Sequence, residues 1–206
     1  MSRYRVVGAE AECEPGSNGL VLRNLLGITD PEEMANVEQG LLRQLYQLVL
    51  SDPACQDRLT TALLTSWHSR WLENIYTWAG AERTVNVSKD GFLFAPARFI
   101  PDLLLEFQQQ QLDVLTPCRP TSIDELLYAL SSVHVELILI HPFREGNGRI
   151  ARLLCDVMAF QAEIGPLDYT EWDRSPDDYF AAIQAGHGRD LEPMKQLFRR
   201  LLSAAD

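Results

Sequence analysis

The chain has 206 residues, with 18 Lys and Arg against 29 Asp and Glu, a formal net charge of −11 and a pI near 4.8. That balance excludes a general nucleic-acid binder, which needs a basic stripe to displace counterions, and no apolar run approaches membrane-spanning length. Four cysteines, Cys13, Cys55, Cys118 and Cys155, form no C-x-x-C pair and no signal-peptide pattern opens the chain, so a cytoplasmic protein with reduced thiols is expected.

The first twenty residues, with "EPGSNG", carry little periodic signal. In "TDPEEMANVEQGLLRQLYQLVL", Asp30 is a helix cap, Pro31 starts the first turn, and Val37, Leu41, Leu45 and Leu48 recur at helical spacing. "DRLTTALLTSWHSRWLENIYTWAG" predicts a second helix ended by Gly80, with Trp67, Trp71, Tyr76 and Trp78 read as core. Two short runs, Thr84–Ser88 and Phe92–Ala95, flank "KDG", and Asp-Gly is a strong hairpin signal. Helical pattern returns in "IPDLLLEFQQQQLDVL", and Ser122 with Glu125 makes a capping box for "SIDELLYALSSVHVELILI". "RIARLLCDVMAFQAEIG" stops at Gly165, "SPDDYFAAIQAGHG" has Ser175 as cap, and "LEPMKQLFRRLLSAA" closes the chain. The expectation is an all-α, mainly helical single domain over residues 1–206, with one hairpin.

Between two apolar helical runs stands "HPFREGNGRIAR", residues 141–152, whose polar content needs a reason other than packing. Gly146 and Gly148 let the backbone turn sharply and approach a ligand. A helix start follows, and its unpaired N–H groups and positive dipole end make an anion cradle. Arg149 and Arg152, three apart, share a face there and suit a polyphosphate better than one carboxylate. Glu145 at the lip fits if Mg²⁺ bridges it to phosphates. His141, stopped by Pro142, is placed to take a proton from an attacking hydroxyl. Taken singly, a histidine at a helix end is a cap and Arg-x-x-Arg a solvated face; the set within twelve residues points to phosphate chemistry. A Walker A loop is excluded because no G-K-[ST] follows the glycines. A zinc hydrolase is disfavoured because Pro142 keeps His141 and Glu145 off one helix face.

This stretch resembles the signature of the Fic family, H-x-F-x-[D/E]-G-N-G-R-x-x-R, with every specified position filled. "LRNLLGITDPEEM", "IYTWAGAERTVNVSK" and "DDYFAAIQAGHGRDLEPMKQLF" are also similar to segments of bacterial Fic proteins. The resemblance implies the Fic fold, a helical bundle with a β-hairpin flap, with a core of about 58–203 after an N-terminal extension of about 1–57. It implies a protein adenylyltransferase that moves AMP from ATP to a Ser, Thr or Tyr hydroxyl of a target protein. His141 would be the general base and Glu145 the Mg²⁺ ligand. Gly146, Asn147 and Gly148 would line the anion hole, and Arg149 and Arg152 would bind the β- and γ-phosphates, with Arg144 on the same ATP-binding surface. Ser88 and Lys89 on the flap, and Tyr179 with Phe180 and His187 near the adenine, complete the set. The target would add to the flap as a strand.

The related Doc proteins, which phosphorylate, replace Gly-Asn-Gly by Ala-Asn-Lys, so a phosphotransferase is the alternative, as is a non-catalytic nucleotide-binding module. The inhibitory motif [S/T]-x-x-x-E-[G/N] of many Fic proteins matches only "SRWLEN", Ser69 to Asn74, inside a core helix. A separate small antitoxin supplying a glutamate to Arg152 is therefore expected. The resemblance suggests type II topoisomerase ATPase subunits as the target class.

Overall fold

Asp30 opens the first long helix: its carboxylate accepts the Glu33 N–H at 2.8 Å, and Pro31 follows where a missing N–H costs nothing. The computed structural model describes residues 5–6 and 12–203. Helix α1, Pro31–Ser51, buries Met34, Glu38, Leu45 and Val49, whereas Leu48 stays 58% exposed. The buried face is thus turned by one residue from the one predicted, and it carries a glutamate.

Helix α2, Thr61–Leu72, is capped by Thr60 and ends eight residues before Gly80. From Glu73 the chain turns instead and tucks Ile75 and Tyr76 into the core. The Gly80 N–H then reaches back to His68 Nδ1 at 2.8 Å. The apolar spacing that suggested a longer helix is satisfied by this doubling back.

The hairpin forms, with β2 at Val87–Lys89 and β3 at Phe92–Leu93, antiparallel and in register Ser88↔Leu93 and Lys89↔Phe92. Asp90 and Gly91 both take positive φ (50° and 83°), as a two-residue hairpin turn requires. Its strands are shorter than the sequence suggested because their roots bond elsewhere: the Val85 and Ala95 carbonyls accept from Arg83, and the Ala95 N–H goes to the Leu139 carbonyl. A third strand, β1 at Arg5–Val6, pairs antiparallel with β2 through Arg5↔Ser88 and Val6↔Val87, giving the order β1-β2-β3. The opening segment read as lacking signal therefore contributes a strand, and its residues 1–4 and 7–11 lie outside the described residues.

Helix α3, Ile100–Phe107, passes through a wide turn at Gln108–Leu112 into the single turn α4, Asp113–Leu115. Helix α5, Ile123–Ile140, is the centre of the molecule, with twelve buried residues. Ser122 accepts the Glu125 N–H, but the Glu125 carboxylate returns to Thr121 rather than to Ser122. Helix α6, Asn147–Gln161, packs along α5 and touches α1 and α2. The short α7, Thr170–Arg174, leads to α8, Pro176–His187, and α9, Glu192–Ser203, which close over α5. Ala204 and Ala205, assigned to the last helix by pattern, lie outside the described residues. Among the described residues no helix is long and apolar enough to cross a membrane, and Cys55, Cys118 and Cys155 are buried free thiols. Residues 141–146 thus form the turn between the two most buried helices.

Candidate active site

The turn begins where α5 ends. His141 is its C-cap, in the left-handed region at φ 52°, and is 1% exposed. Its Nδ1 lies 3.1 Å from the Ile138 carbonyl. A carbonyl only accepts, so Nδ1 carries the proton and Nε2 is left with the lone pair of a base. Phe94 of the flap stacks on the imidazole with centroids 3.8 Å apart, so that face of the ring is covered. Burial, with a smaller contribution from the nearby charges of Arg83 and Lys89, lowers the His141 pKa to about 3 and keeps the ring neutral.

Pro142 and Phe143 then dive inward. Phe143 is 2% exposed and stacks on His68, with centroids 3.9 Å apart and ring planes nearly parallel. Asn147 clamps the turn from the other side: its amide accepts from the Phe143 N–H and donates to the Phe143 carbonyl, both at 2.8 Å. That side chain is committed to the loop, and what it presents to a ligand is the helix-end N–H. His68 grips the next peptide. Its Nδ1 accepts from Gly80, so its Nε2 donates to the Glu145 carbonyl at 3.1 Å, and burial lowers its pKa to about 4.

Gly146 caps α6 at φ 83° with its Cα against Trp71, and a Cβ there would stand 2.6 Å from the indole. At Gly148 the situation is reversed: a Cβ would meet nothing within 4 Å. The space over the first turn of α6 is therefore open where the sequence places an anion, next to unpaired helix-end N–H groups.

The charged residues divide. Glu145 Oε1 accepts from the Gly146 N–H at 3.0 Å and faces Arg149 at 3.5 Å. Arg149 lies over Trp71, 4.4 Å from the ring centroid, and its main partner is Glu38 of α1 at 2.6 Å. Glu38 also accepts from Tyr76 Oη at 2.7 Å, while its carbonyl takes the Trp71 Nε1–H. Two carboxylates thus surround one guanidinium, which favours a cation between Glu145 and any incoming phosphate. Glu38, Tyr76, Arg144, Glu145 and Arg149 line a cavity of about 280 Å³. Arg152 turns the other way, pairing with Asp173 of α7 at 2.8 Å and lying over Tyr169 and Trp172. Arg149 and Arg152 still share a wall, with Arg43 and Tyr169, of a second cavity of about 470 Å³.

The flap residues close the opposite side. Lys89 Nζ sits 5.2 Å from the Phe180 ring, and Phe92 meets both Phe180 and His187 edge-on. Ser88 is on the same strand. Tyr179 turns its hydroxyl to His134 Nε2 at 2.8 Å and its ring to Trp172, so it faces the helix bundle. Glu73 of "SRWLEN" accepts from Ser69 Oγ, 3.3 Å away, and no ion pair to Arg152 is formed by it. Glu38, His68, Arg83, Phe94 and Asp173 are the neighbours that sequence reasoning missed; none lies in the signature, and nothing local marks them.

Known proteins resemble this chain in sequence and in fold. Residues 58–159 match the Fic/DOC family. The protein adenylyltransferase VbhT of Bartonella schoenbuchensis is 28% identical over 185 residues, 89% of this chain, which spans 37% of that relative's length. A probable protein adenylyltransferase of Sinorhizobium fredii, y4lH, is 27% identical over 206 residues and is covered in full. Among solved structures, the BepC protein of Bartonella tribocorum, crystallised with AMPPNP, superposes with a TM-score of 0.71 at 23% identity, covering 87% of this chain and 91% of that one.

Proposed function

This chain is a Fic-domain protein of the Fic/DOC family, and on that premise we propose that it is a protein adenylyltransferase using ATP. The observation that carries the reading is the pairing of a tautomer-locked His141, lone pair on Nε2, with an open helix N-terminus at Gly148, seven residues on in the first turn of α6.

The chemistry follows from these parts. The α-phosphate takes the seat over Gly148, where the N–H groups of α6 stabilise the charge that builds on its oxygens. A target hydroxyl gives its proton to His141 Nε2 as its oxygen bonds to the α-phosphorus. The bond from that phosphorus to the bridging oxygen breaks, pyrophosphate leaves, and AMP stays on the target as a phosphodiester. Glu145 would hold Mg²⁺, which would supply charge neutralisation for the leaving group. Arg149 and Arg152 are reserved for the β- and γ-phosphates, Arg144 for the wall of the cavity it lines with Arg149, and Ser88 and Lys89 for the nucleotide's far side, while Tyr179, turned to the bundle, is left out of this set.

The remaining assignments belong to the same proposal. The target lies on the flap: β1 occupies one edge of β2, which leaves the β3 edge, with Leu93 at 74% exposure, for a guest strand. A small antitoxin supplies a glutamate to Arg152 in place of Asp173, a partner held only at the surface. Type II topoisomerase ATPase subunits are the target class by resemblance, and the cytoplasm, where ATP and Mg²⁺ are supplied, is the place of action. Incubating the chain with a bacterial lysate and α-³²P-ATP tests the core claim. A labelled protein band that disappears with His141→Ala is the expected result. Label arriving from γ-³²P-ATP alone would instead identify a phosphotransferase.

A further inference from the structure

Helix α5 must end abruptly to present His141, and an abrupt end leaves carbonyls without helical partners. The structure accounts for each in turn. Leu137 accepts from the His141 N–H and Ile138 from the His141 ring. Leu139 accepts from the Ala95 N–H at the root of the flap. The last two, Ile140 and His141 itself, both accept from one side chain, Arg83, at 3.2 Å and 2.6 Å. The other arm of that guanidinium takes the Val85 carbonyl at 2.7 Å, and the Ala95 carbonyl also accepts from it. The Arg83 backbone N–H donates to Pro142. Arg83 is 3% exposed. Its charge lies at the negative end of the α5 dipole, where a cation is favoured.

The consequence is geometric. The left-handed backbone at His141 is uncommon for a residue with a side chain, and it persists only where surrounding bonds over-determine it. Arg83 supplies those bonds on both sides of the residue: the carbonyls before and after the His141 Cα go to one rigid, planar fork. The same fork holds the two strands' roots, and the flap delivers Phe94 to the face of the imidazole. Loop and flap are therefore referenced to one group.

We propose that Arg83 is a positioning residue for the transfer reaction, aiming the His141 ring and fixing the flap relative to it through the backbone carbonyls it holds. The inference rests on the adenylyltransferase reading for its kinetic arm only. Lysine cannot replace it, because an ammonium on a flexible stem does not reproduce a planar fork that reaches four carbonyls. The carbonyls that Arg83 holds, those of Val85, Ala95, Ile140 and His141, belong to the end of α5 and the roots of the flap rather than to the Gly148 seat, so nucleotide binding is expected to be separate from its action.

The test compares the full chain with Arg83→Lys and Arg83→Gln. AMPPNP affinity by calorimetry is expected to stay within about twofold, while the rate of label transfer from α-³²P-ATP to the lysate target falls by about 10²-fold, the scale of a misplacement near 1 Å. Two-bond ¹H–¹⁵N spectra of His141 are expected to change from a single Nδ1–H tautomer to a mixture in both variants. This spectroscopic arm needs no catalysis, so it stands even if wild type transfers no AMP. Parallel losses of AMPPNP affinity and rate would overturn the proposal in favour of a general structural role, as would an unchanged tautomer with unchanged rate. If the glutamine variant does not fold, the lysine variant, which keeps the charge at the helix end, decides.

Discussion

Gly146 and Gly148 stand two residues apart on one turn, and a methyl group meets different surroundings at each. At Gly146 it adds strain at φ 83° and a 2.6 Å approach to Trp71; the left-handed cost of about 1–2 kcal/mol and overpacking of about 1–3 kcal/mol add. Gly146→Ala should therefore lower the urea midpoint markedly. At Gly148 the methyl meets no protein atom, so Gly148→Ala should melt like the parent or slightly higher, yet bind AMPPNP at least about tenfold more weakly, about 1.4 kcal/mol. A Gly148→Ala protein with unaltered AMPPNP affinity would remove the anion seat from this helix end. His141→Ala should lose about 10²–10⁴ in transfer rate with AMPPNP affinity retained. These residues were legible because their types are chemically eloquent at that spacing. Asn147 shows the limit: its amide looks like a ligand group in the sequence, and only the structure reveals that both its ends are bonded to Phe143. Arg83 was illegible for the complementary reason, since its four acceptors are backbone carbonyls, which every residue possesses.

At the scale of elements, the acidic partner of Arg152 is on the exposed side of the pair. Asp173 is 64% exposed on its side chain, and a pair of that kind contributes about 0.2–1 kcal/mol. Asp173→Asn should free the guanidinium for phosphate and tighten ATP binding by no more than about fivefold, measured by calorimetry. The flap gives a second expectation: Leu93→Asp on the open β3 edge should slow target labelling while AMPPNP affinity stays as in the parent. The elements themselves were predictable where caps and periodicity agreed, as at Asp30, Ser122 and the Asp90-Gly91 turn. They were misjudged where distant bonds overrode local preference. Helix α2 stops at Leu72 because Gly80 has a partner on His68, and the hairpin is short because its roots are bonded to Arg83 and Leu139. Strand β1 was missed since two residues have no period, and its pairing to Ser88 and Val87 is visible only in three dimensions.

Across the whole molecule, three buried histidines set the response to acid. His68, His134 and His141 have pKa values lowered by burial to about 4, 3 and 3, against 6.5 when unperturbed. Below pH 6.5 the unfolded chain binds protons there that the folded chain does not, so stability is complete above that pH and is lost as pH falls. Asp156 opposes this, because burial raises its pKa to about 6 and it gains its proton first in the folded state. Three histidines against Asp156 leave at most two net protons, about 2.7 kcal/mol per pH unit between pH 6 and 4 as an upper figure, and Glu136, whose pKa burial also raises, lowers it further. Urea midpoints should drop steeply across that interval, and a flat profile would show the histidines to be hydrated. One contact seen earlier reaches further still. Glu38 receives the Trp71 indole on its carbonyl and the Tyr76 hydroxyl and Arg149 guanidinium on its carboxylate, and all three donors belong to the stretch 58–159 while Glu38 does not. Excising that stretch would strand three donors at once. Anyone grafting this module into another protein must start the graft upstream of residue 38, or supply a surrogate acid at the same spot.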